Sequence, residues 1–160
     1  MLDARGPYFL AIDHIAVAFA HRHGFELGGV RSGGGLGHAL TQVPGASEVF
    51  IGGVIAYTSD VKINFLGVQK STIDEHTVVS EEVALEMAQG AMKKLGTTWA
   101  IATTGIAGPG DYMGIREGRV WIAICGPTCQ TLQLTLDSGR DGVRQGAISS
   151  ALGTFARILS

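Results

Sequence analysis

The residues that can carry chemistry are concentrated in two segments, 41–62 (TQVPGASEVFIGGVIAYTSDVK) and 103–111 (TTGIAGPGD). Tyr57 and Lys62 close the first segment, just past an apolar stretch that predicts a strand. A lysine that is buried at a strand end loses part of its preference for the charged form, and it can then accept a proton near neutral pH. Taken alone, the spacing favours a simpler interpretation, a core tyrosine with a satisfied hydroxyl and an ordinary surface lysine.

Three further features offer contacts for a small molecule. Glycines crowd residues 28–37 at a density that neither a helix nor a strand interior favours. Thr104 opens a Gly-Ile-Ala-Gly-Pro turn, and Arg140 and Arg144 lie four residues apart near the start of the predicted last helix. An arginine there suits a planar anionic group. As isolated features these are a loop, a tight turn and solvated helix charges.

Together these segments resemble the CinA C-terminal family, whose best-known members are the nicotinamide-nucleotide amidohydrolases. The similarity continues through 67–96 and the Gly-Arg-x-x-x-Arg segment 139–144, and it covers most of residues 24–157. In that family a serine attacks the carboxamide of nicotinamide mononucleotide, a lysine acts as its base and a tyrosine completes the site. The resemblance therefore implies that Lys62 is the base and Tyr57 a supporting group.

The resemblance also implies where the substrate is held. Thr104 matches the family's substrate-binding turn, in which backbone N–H groups and a hydroxyl face the pocket. Arg144, with Arg140 beside it, takes the position of the arginine that holds the substrate phosphate. The backbone amides of Gly33 and Gly34, together with the next glycine, would form an oxyanion hole.

The segment that should supply the nucleophile departs from the family. Family members carry Glu-Ser-Cys-Thr-Gly-Gly, whereas residues 28–35 read Gly-Gly-Val-Arg-Ser-Gly-Gly-Gly. Counting back from the Val-Pro-Gly turn places the Glu-Ser pair on Gly29 and Val30, so the nucleophile is lost. Counting forward from the preceding predicted strand places the pair on Arg31 and Ser32, so a serine survives. Each count needs a two-residue deletion, which a glycine loop tolerates in either place.

The loop after the Gly-Pro turn departs as well. The family has a polar loop rich in Gly and Thr, but residues 110–119 read GDYMGIREGR and are one residue shorter. Tyr112, Met113 and Ile115 would make the rim of the pocket more apolar, as would Val30. The expected ligand is therefore less polar than a nucleotide, with a carboxylate or polarised carbonyl to pair with the cationic side chains.

These departures leave three functions open. The first is a repurposed enzyme that isomerises or cyclises a relatively apolar molecule without hydrolysis, and the reaction could be a pericyclic ring closure. Such an enzyme would hold a reactive conformer of its substrate and polarise a carbonyl. The second is a nicotinamide-nucleotide amidohydrolase with Ser32 as nucleophile and Lys62 as base. The third is a non-catalytic binding protein, since fold does not fix function.

Composition bounds the other classes. A chain of 160 residues predicts one domain over 1–160 that buries roughly two-thirds of its unfolded surface. A net charge of −2 without a basic stripe disfavours nucleic-acid binding, and no apolar run approaches the roughly 20 residues of a membrane span.

Because 46% of residues are hydrophobic and 16% charged, and because CinA-like domains generally associate, we expect a homo-oligomer. We expect the protein to be cytoplasmic, because Asp13 and His14 interrupt the apolar N-terminal stretch that a signal peptide would need.

Neither a metal nor another cofactor is expected. Cys125 and Cys129 are the only cysteines, and without further ligands beside them they predict free buried or loop thiols. The five histidines show no metal-ligand pairing.

Periodicity predicts the elements that must position these residues. Apolar residues at helical spacing predict helices over 8–22, 36–42, 81–95 and from 141 onward. Continuous or alternating apolar runs predict strands at 25–27, 49–57, 99–103, 119–124 and 132–136. Strands that alternate with helices predict a three-layer α/β/α sandwich around one sheet. The resemblance implies that the sheet is mixed.

Overall fold

The structure, a computed structural model, describes residues 34–160 and the backbone of residues 15–21. The strands are β1 (Ile15–His21), β2 (Phe50–Ile55), β3 (Trp99–Gly105), β4 (Arg119–Cys125) and β5 (Cys129–Thr135). The helices are α1 (Gly35–Thr41), α2 (Ser59–Asn64), α3 (Lys70–His76), α4 (Glu81–Leu95) and α5 (Gly139–Leu159), with a 3₁₀ turn at Ala46–Glu48.

The five strands form one mixed sheet in the order β2-β1-β3-β4-β5. β1 runs parallel to β2 and β3, whereas β4 and β5 are antiparallel additions. Residue 19 lies opposite Ile55 on one side and opposite Thr103 on the other, so the three parallel strands end together. We call this end of the sheet, marked by residues 21, 55 and 105, the carboxyl edge. β4 begins and β5 ends at the same edge, so α5 also begins there.

Helices cover both faces of the sheet, which confirms the α/β/α sandwich. On one face α1 and α5 pack on the isoleucines of β3 and β4, namely Ile101, Ile122 and Ile124. On the other face α4 packs on the small residues Ala100, Ala102 and Ala123. The central strands are buried on both faces, which is why they read as nearly continuous apolar runs.

The helix predicted over 8–22 is wrong where the structure describes it, because residues 15–21 form the interior strand β1. A short apolar run such as IAVAFA fits a buried parallel strand as well as a buried helix, and periodicity cannot separate them. The β-branched and aromatic residues in it were the signal for a strand. Residues 8–14 and the predicted strand at 25–27 lie outside the described residues.

Local capping signals explain why α4 was predicted closely. The Ser80 hydroxyl accepts a hydrogen bond from the Val83 N–H at 3.3 Å and donates one to the Thr77 carbonyl at 3.2 Å. Glu81 and Glu82 occupy the first turn, where carboxylates complement the helix dipole. Gly96, with φ of 64°, ends the helix in the left-handed conformation that glycine adopts without strain.

Replacing Ser80 by alanine should destabilise the protein by about 1 kcal/mol, because the helix loses its N-cap. Thermal unfolding should shift down by roughly 3 °C for a chain of this length. The matched control is Ser149→Ala, which changes an exposed serine on the surface of α5 and should be neutral or slightly stabilising. Equal midpoints for the two variants would contradict the capping role.

The two cysteines differ from expectation, because they form a disulfide rather than free thiols. Cys125 and Cys129 lie directly opposite each other where β4 turns into β5, with their Cα atoms 4.1 Å apart. The hairpin at 126–128 was not predicted, and without it a spacing of four gave no reason to pair them. Within the described ranges, no helix is both long and apolar enough to cross a membrane.

Candidate functional site

The carboxyl edge is where the topology creates a crevice. The helix that follows β1 packs on one face of the sheet, and the helices that follow β2 pack on the other. In α/β proteins ligands bind where neighbouring strands send their connections to opposite faces, outside the carboxyl ends of those strands. In the sequence, the glycine loop stands between β1 and α1. Gly34 caps α1 there, while Val30, Arg31, Ser32 and Gly33 lie outside the described residues.

Lys62 lies on α2, the short helix that follows β2 at the carboxyl edge. The Thr58 hydroxyl caps this short helix by accepting a hydrogen bond from the Val61 N–H at 3.4 Å. The Lys62 residue is only 2% exposed and is the largest of the deeply buried side chains in the described part of the chain. Lysine is almost never buried to this extent unless its charge is paired. The structure therefore excludes the simple interpretation of an ordinary surface lysine.

The position of Lys62 is fixed by the segment that follows it. The Val68 N–H donates to the Lys62 carbonyl at 3.1 Å, which turns the chain back over the end of α2. The Leu66 backbone then lies directly against Gly90 of α4, where a methyl group would overlap the Leu66 carbonyl oxygen. The segment that follows Lys62 is therefore held against α4, a distant part of the chain.

Tyr57 follows Ala56, which is completely buried, and stands before the cap of α2. It is 37% exposed, so it is not the core tyrosine of the simpler interpretation. Its place just after the end of β2 puts it at the carboxyl edge.

Thr104 lies at the end of β3 and is almost fully buried. Its hydroxyl donates to the Val78 carbonyl at 2.7 Å, so only its lone pairs remain for a ligand. The resemblance implies a hydroxyl that faces the pocket, and the proton of that hydroxyl is used within the protein. The bond joins β3 to the segment before α4 and so has a structural function as well.

The two arginines have different positions. Arg140 donates from Nη1 to the Gly108 carbonyl at 2.7 Å, which ties the start of α5 to the turn after β3. Arg144 is 8% exposed, and its Nη1 lies 3.5 Å from Oδ1 of the exposed Asp141. Arg140 thus orients the loop, whereas Arg144 presents a buried guanidinium near the edge.

The loop after β3, which was expected to form an apolar rim, folds into a small hairpin of its own. Tyr112 and Ile115 exchange backbone hydrogen bonds across a two-residue turn in which Met113 and Gly114 have φ of 48° and 76°. Such a turn needs positive φ at both central residues. Met113 is therefore at a tip and is 67% exposed. Ile115 is buried in a separate small cluster, which Tyr112 joins.

Two residues at the edge were missed from the sequence. Glu117 holds the loop from inside: its Oε2 accepts the Gly110 N–H at 2.7 Å, and its own N–H donates to Asp111 Oδ1 at 2.9 Å. The signal in the sequence was the presence of two acidic residues, Asp111 and Glu117, on either side of a glycine-containing turn. Thr103 is the other, a buried neighbour of Thr104 on the opposite face of β3. Nothing in the sequence indicated that the hydroxyls of Thr103 and Thr104 would have different surroundings.

No three His, Cys, Asp or Glu side chains come together as metal ligands among the residues that the structure describes. Lys62 and Arg144 are buried cations that could hold a charged ligand at the edge.

Comparisons with known proteins agree with this architecture. The profile of the CinA C-terminal domain matches residues 28–159. The CinA-like protein of Parasynechococcus marenigrum is 42% identical over 151 residues, which are 91% of this chain and 36% of that protein. The CinA-like protein of Gloeothece citriformis is 43% identical over 133 residues, 80% of this chain and 32% of that protein. The chain thus spans about a third of the length of these relatives.

Solved structures show the same fold. The competence/damage inducible protein CihA from Agrobacterium tumefaciens superposes with a TM-score of 0.83 at 29% identity, covering 96% of this chain and 88% of that one. A competence or damage-inducible protein from Enterobacter asburiae gives a TM-score of 0.85 at 24% identity, covering 96% and 91%, and supports the fold alone. This chain belongs to the CinA C-terminal domain family.

Proposed function

We propose that the chain is an enzyme that binds a small anionic molecule at the carboxyl edge and acts on a carbonyl group of that molecule. The observation that carries the proposal is Lys62, a lysine that is 2% exposed on α2, the helix that follows the edge strand β2. In a site from which water is largely excluded, a positioned amine interacts more strongly with a reacting group than it does in solution. Lys62 can therefore transfer a proton or polarise a carbonyl.

The anionic character of the substrate is supported by Arg144. A guanidinium stays charged at any accessible pH, and its planar donors match a phosphate or carboxylate. Arg144 is buried near the start of α5, and α5 begins at the same edge as α2. The resemblance to the family assigns the substrate phosphate to an arginine at this position.

Among reactions, we place amide hydrolysis first. The exposed tip at Met113 and the buried Ile115 leave less apolar surface for a ligand than the sequence suggested. In this reaction the Ser32 hydroxyl attacks the carboxamide carbon while Lys62 takes its proton. Lys62 then gives that proton to the amide nitrogen, which leaves the tetrahedral intermediate as ammonia. Water then cleaves the acyl-serine, which releases a carboxylate and regenerates the hydroxyl.

The sequence of the glycine loop favours a second candidate. Where the family has its Glu-Ser pair, one alignment places Gly29 and Val30. An enzyme without a nucleophile at that point would use Lys62 and Arg144 to hold a reactive conformer, and it would isomerise or cyclise its substrate without hydrolysis.

Ammonia release from nicotinamide mononucleotide tests the choice. We expect the wild-type protein to release ammonia and Ser32→Ala to lose at least about 10³-fold of that rate, since the nucleophile is removed. Ser149→Ala, on the exposed surface of α5, should keep the wild-type rate.

Two other results would change the assignment. Full activity in Ser32→Ala would show that another group attacks the carboxamide. An inactive wild-type protein would exclude this hydrolysis, and mass spectrometry of carboxylate mixtures incubated with the protein would then look for isobaric products of an isomerase.

A further inference from the structure

Thr103 and Thr104 are adjacent on β3, and their side chains therefore point to opposite faces of the sheet. Thr104 lies opposite Trp121 of β4, which packs on the α4 side, and its hydroxyl is bonded to the Val78 carbonyl. Thr103 lies opposite Ile122, which belongs to the core on the α5 side. Directly paired residues share a face, so Thr103 points toward the layer of α1 and α5.

The hydroxyl of Thr103 is buried without a hydrogen-bond partner among the described residues. The residue is 2% exposed, and Oγ1 is one of the few buried polar atoms there that are left unsatisfied. Leaving a hydroxyl buried and unbonded is costly, and valine would fill the same space without that cost. An unsatisfied donor at the ligand end of a strand indicates a partner that arrives with the ligand.

Arg144 lies on the same side of the sheet and near the same edge. Its neighbour Val143 belongs to the core cluster that contains Ile122, and Arg144 itself is buried. Thr103 stands two residues beyond Ile101 of that cluster, at the end of β3 where α5 begins. A hydroxyl and a guanidinium in this arrangement provide complementary donors for the oxygens of one anionic group.

We propose that the Thr103 hydroxyl donates a hydrogen bond to the anionic group of the substrate, in the same subsite as Arg144. The identity of the substrate as an anion rests on the proposed function. Thr104, whose proton is used within the protein, would then position β3 rather than donate to the ligand.

The test compares Thr103→Val with Thr103→Ser, which restores the hydroxyl. Binding of inorganic phosphate and of nicotinamide mononucleotide is measured by calorimetry. Thr103→Val should weaken both by about tenfold, the loss expected for a hydrogen bond to a charged group. Thr103→Ser should bind within about threefold of wild type.

Stability without ligand provides the second readout. Thr103→Val should unfold at the wild-type temperature or above it, because a buried unsatisfied hydroxyl is removed. Thr104→Val should unfold roughly 5 °C lower, because the Val78 carbonyl loses its donor.

Several results would overturn the inference. They are an unfolding temperature for Thr103→Val as low as that of Thr104→Val, unchanged phosphate affinity in Thr103→Val, or a wild-type protein that binds neither probe. A wild-type protein that binds phosphate through Thr103 but neither binds nor hydrolyses the nucleotide would leave the inference standing and remove the proposed function instead.

Discussion

Replacing Lys62 by methionine should lower the rate of ammonia release by roughly 10³-fold while the protein stays folded. Removing a positioned general base typically costs 10²- to 10⁴-fold in rate, which sets this expectation. Methionine keeps the length and the apolar stem of the side chain, so packing around α2 should be retained. The measurement is the steady-state rate together with thermal unfolding of the same preparation.

The matched control is Lys70→Met on the neighbouring helix α3. Lys70 is exposed and pairs with Asp74 across one helical turn, so its loss should change neither rate nor stability by much. If Lys62→Met kept its rate, Lys62 would not act in the reaction. If it lost its rate only together with a fall of about 10 °C or more in unfolding temperature, Lys62 would have a structural role.

Replacing Gly90 by alanine should destabilise the protein by at least about 3 kcal/mol, which is a fall of roughly 6–12 °C in unfolding temperature. A methyl group there would overlap the Leu66 carbonyl oxygen and come within 2.8 Å of the Leu66 carbonyl carbon. Both are backbone atoms that cannot rotate away, so α4 or the segment after α2 must move. Because Leu66 follows the helix that carries Lys62, activity should fall as well.

Gly153→Ala on α5 is the control, since it makes the same change in the middle of another helix. A methyl group at Gly153 would meet nothing closer than the Arg157 side chain at 4.0 Å. Alanine should therefore stabilise α5 by roughly 0.5–1 kcal/mol through its higher helix propensity. Destabilisation of similar size in both variants would contradict the role of the Gly90 contact, since helix position alone would then explain it.

Elements with complete local signals were predicted well from the sequence, and those that depend on tertiary context were not. α4 carries its own cap, first-turn carboxylates, apolar stripe and terminal glycine, so nothing outside it was needed. β1 has only an apolar run, and its identity as a strand follows from its place between β2 and β3. The disulfide required the β4–β5 hairpin, which no turn signal in the sequence had led us to predict.

The elements that carry the candidate residues were predictable from the sequence, but their detailed contacts were not. Tyr57, Thr104 and the start of α5 lie at one end of the sheet because the parallel strands end there, which follows from the fold class. The segment after Lys62 is held by the close approach of Gly90 to Leu66, a contact between distant parts of the chain. Which of two neighbouring threonines donates within the protein is set by a single step of strand register, since one residue changes the face.

The hairpin between β3 and β4 keeps its shape through its own bonds. Glu117 and the Tyr112–Ile115 pair hold it from within, the Gly118 N–H closes its base on the Ile106 carbonyl at 2.8 Å, and its tip at Met113 points into solvent. Adding residues at that tip would cost mainly loop-closure entropy, about 0.6 kcal/mol for each doubling of length. The tip is consequently a place where a gene can gain or lose codons, or accept an inserted peptide, while the strands keep their register. Loop length at this point is therefore a poor guide to the chemistry of related chains.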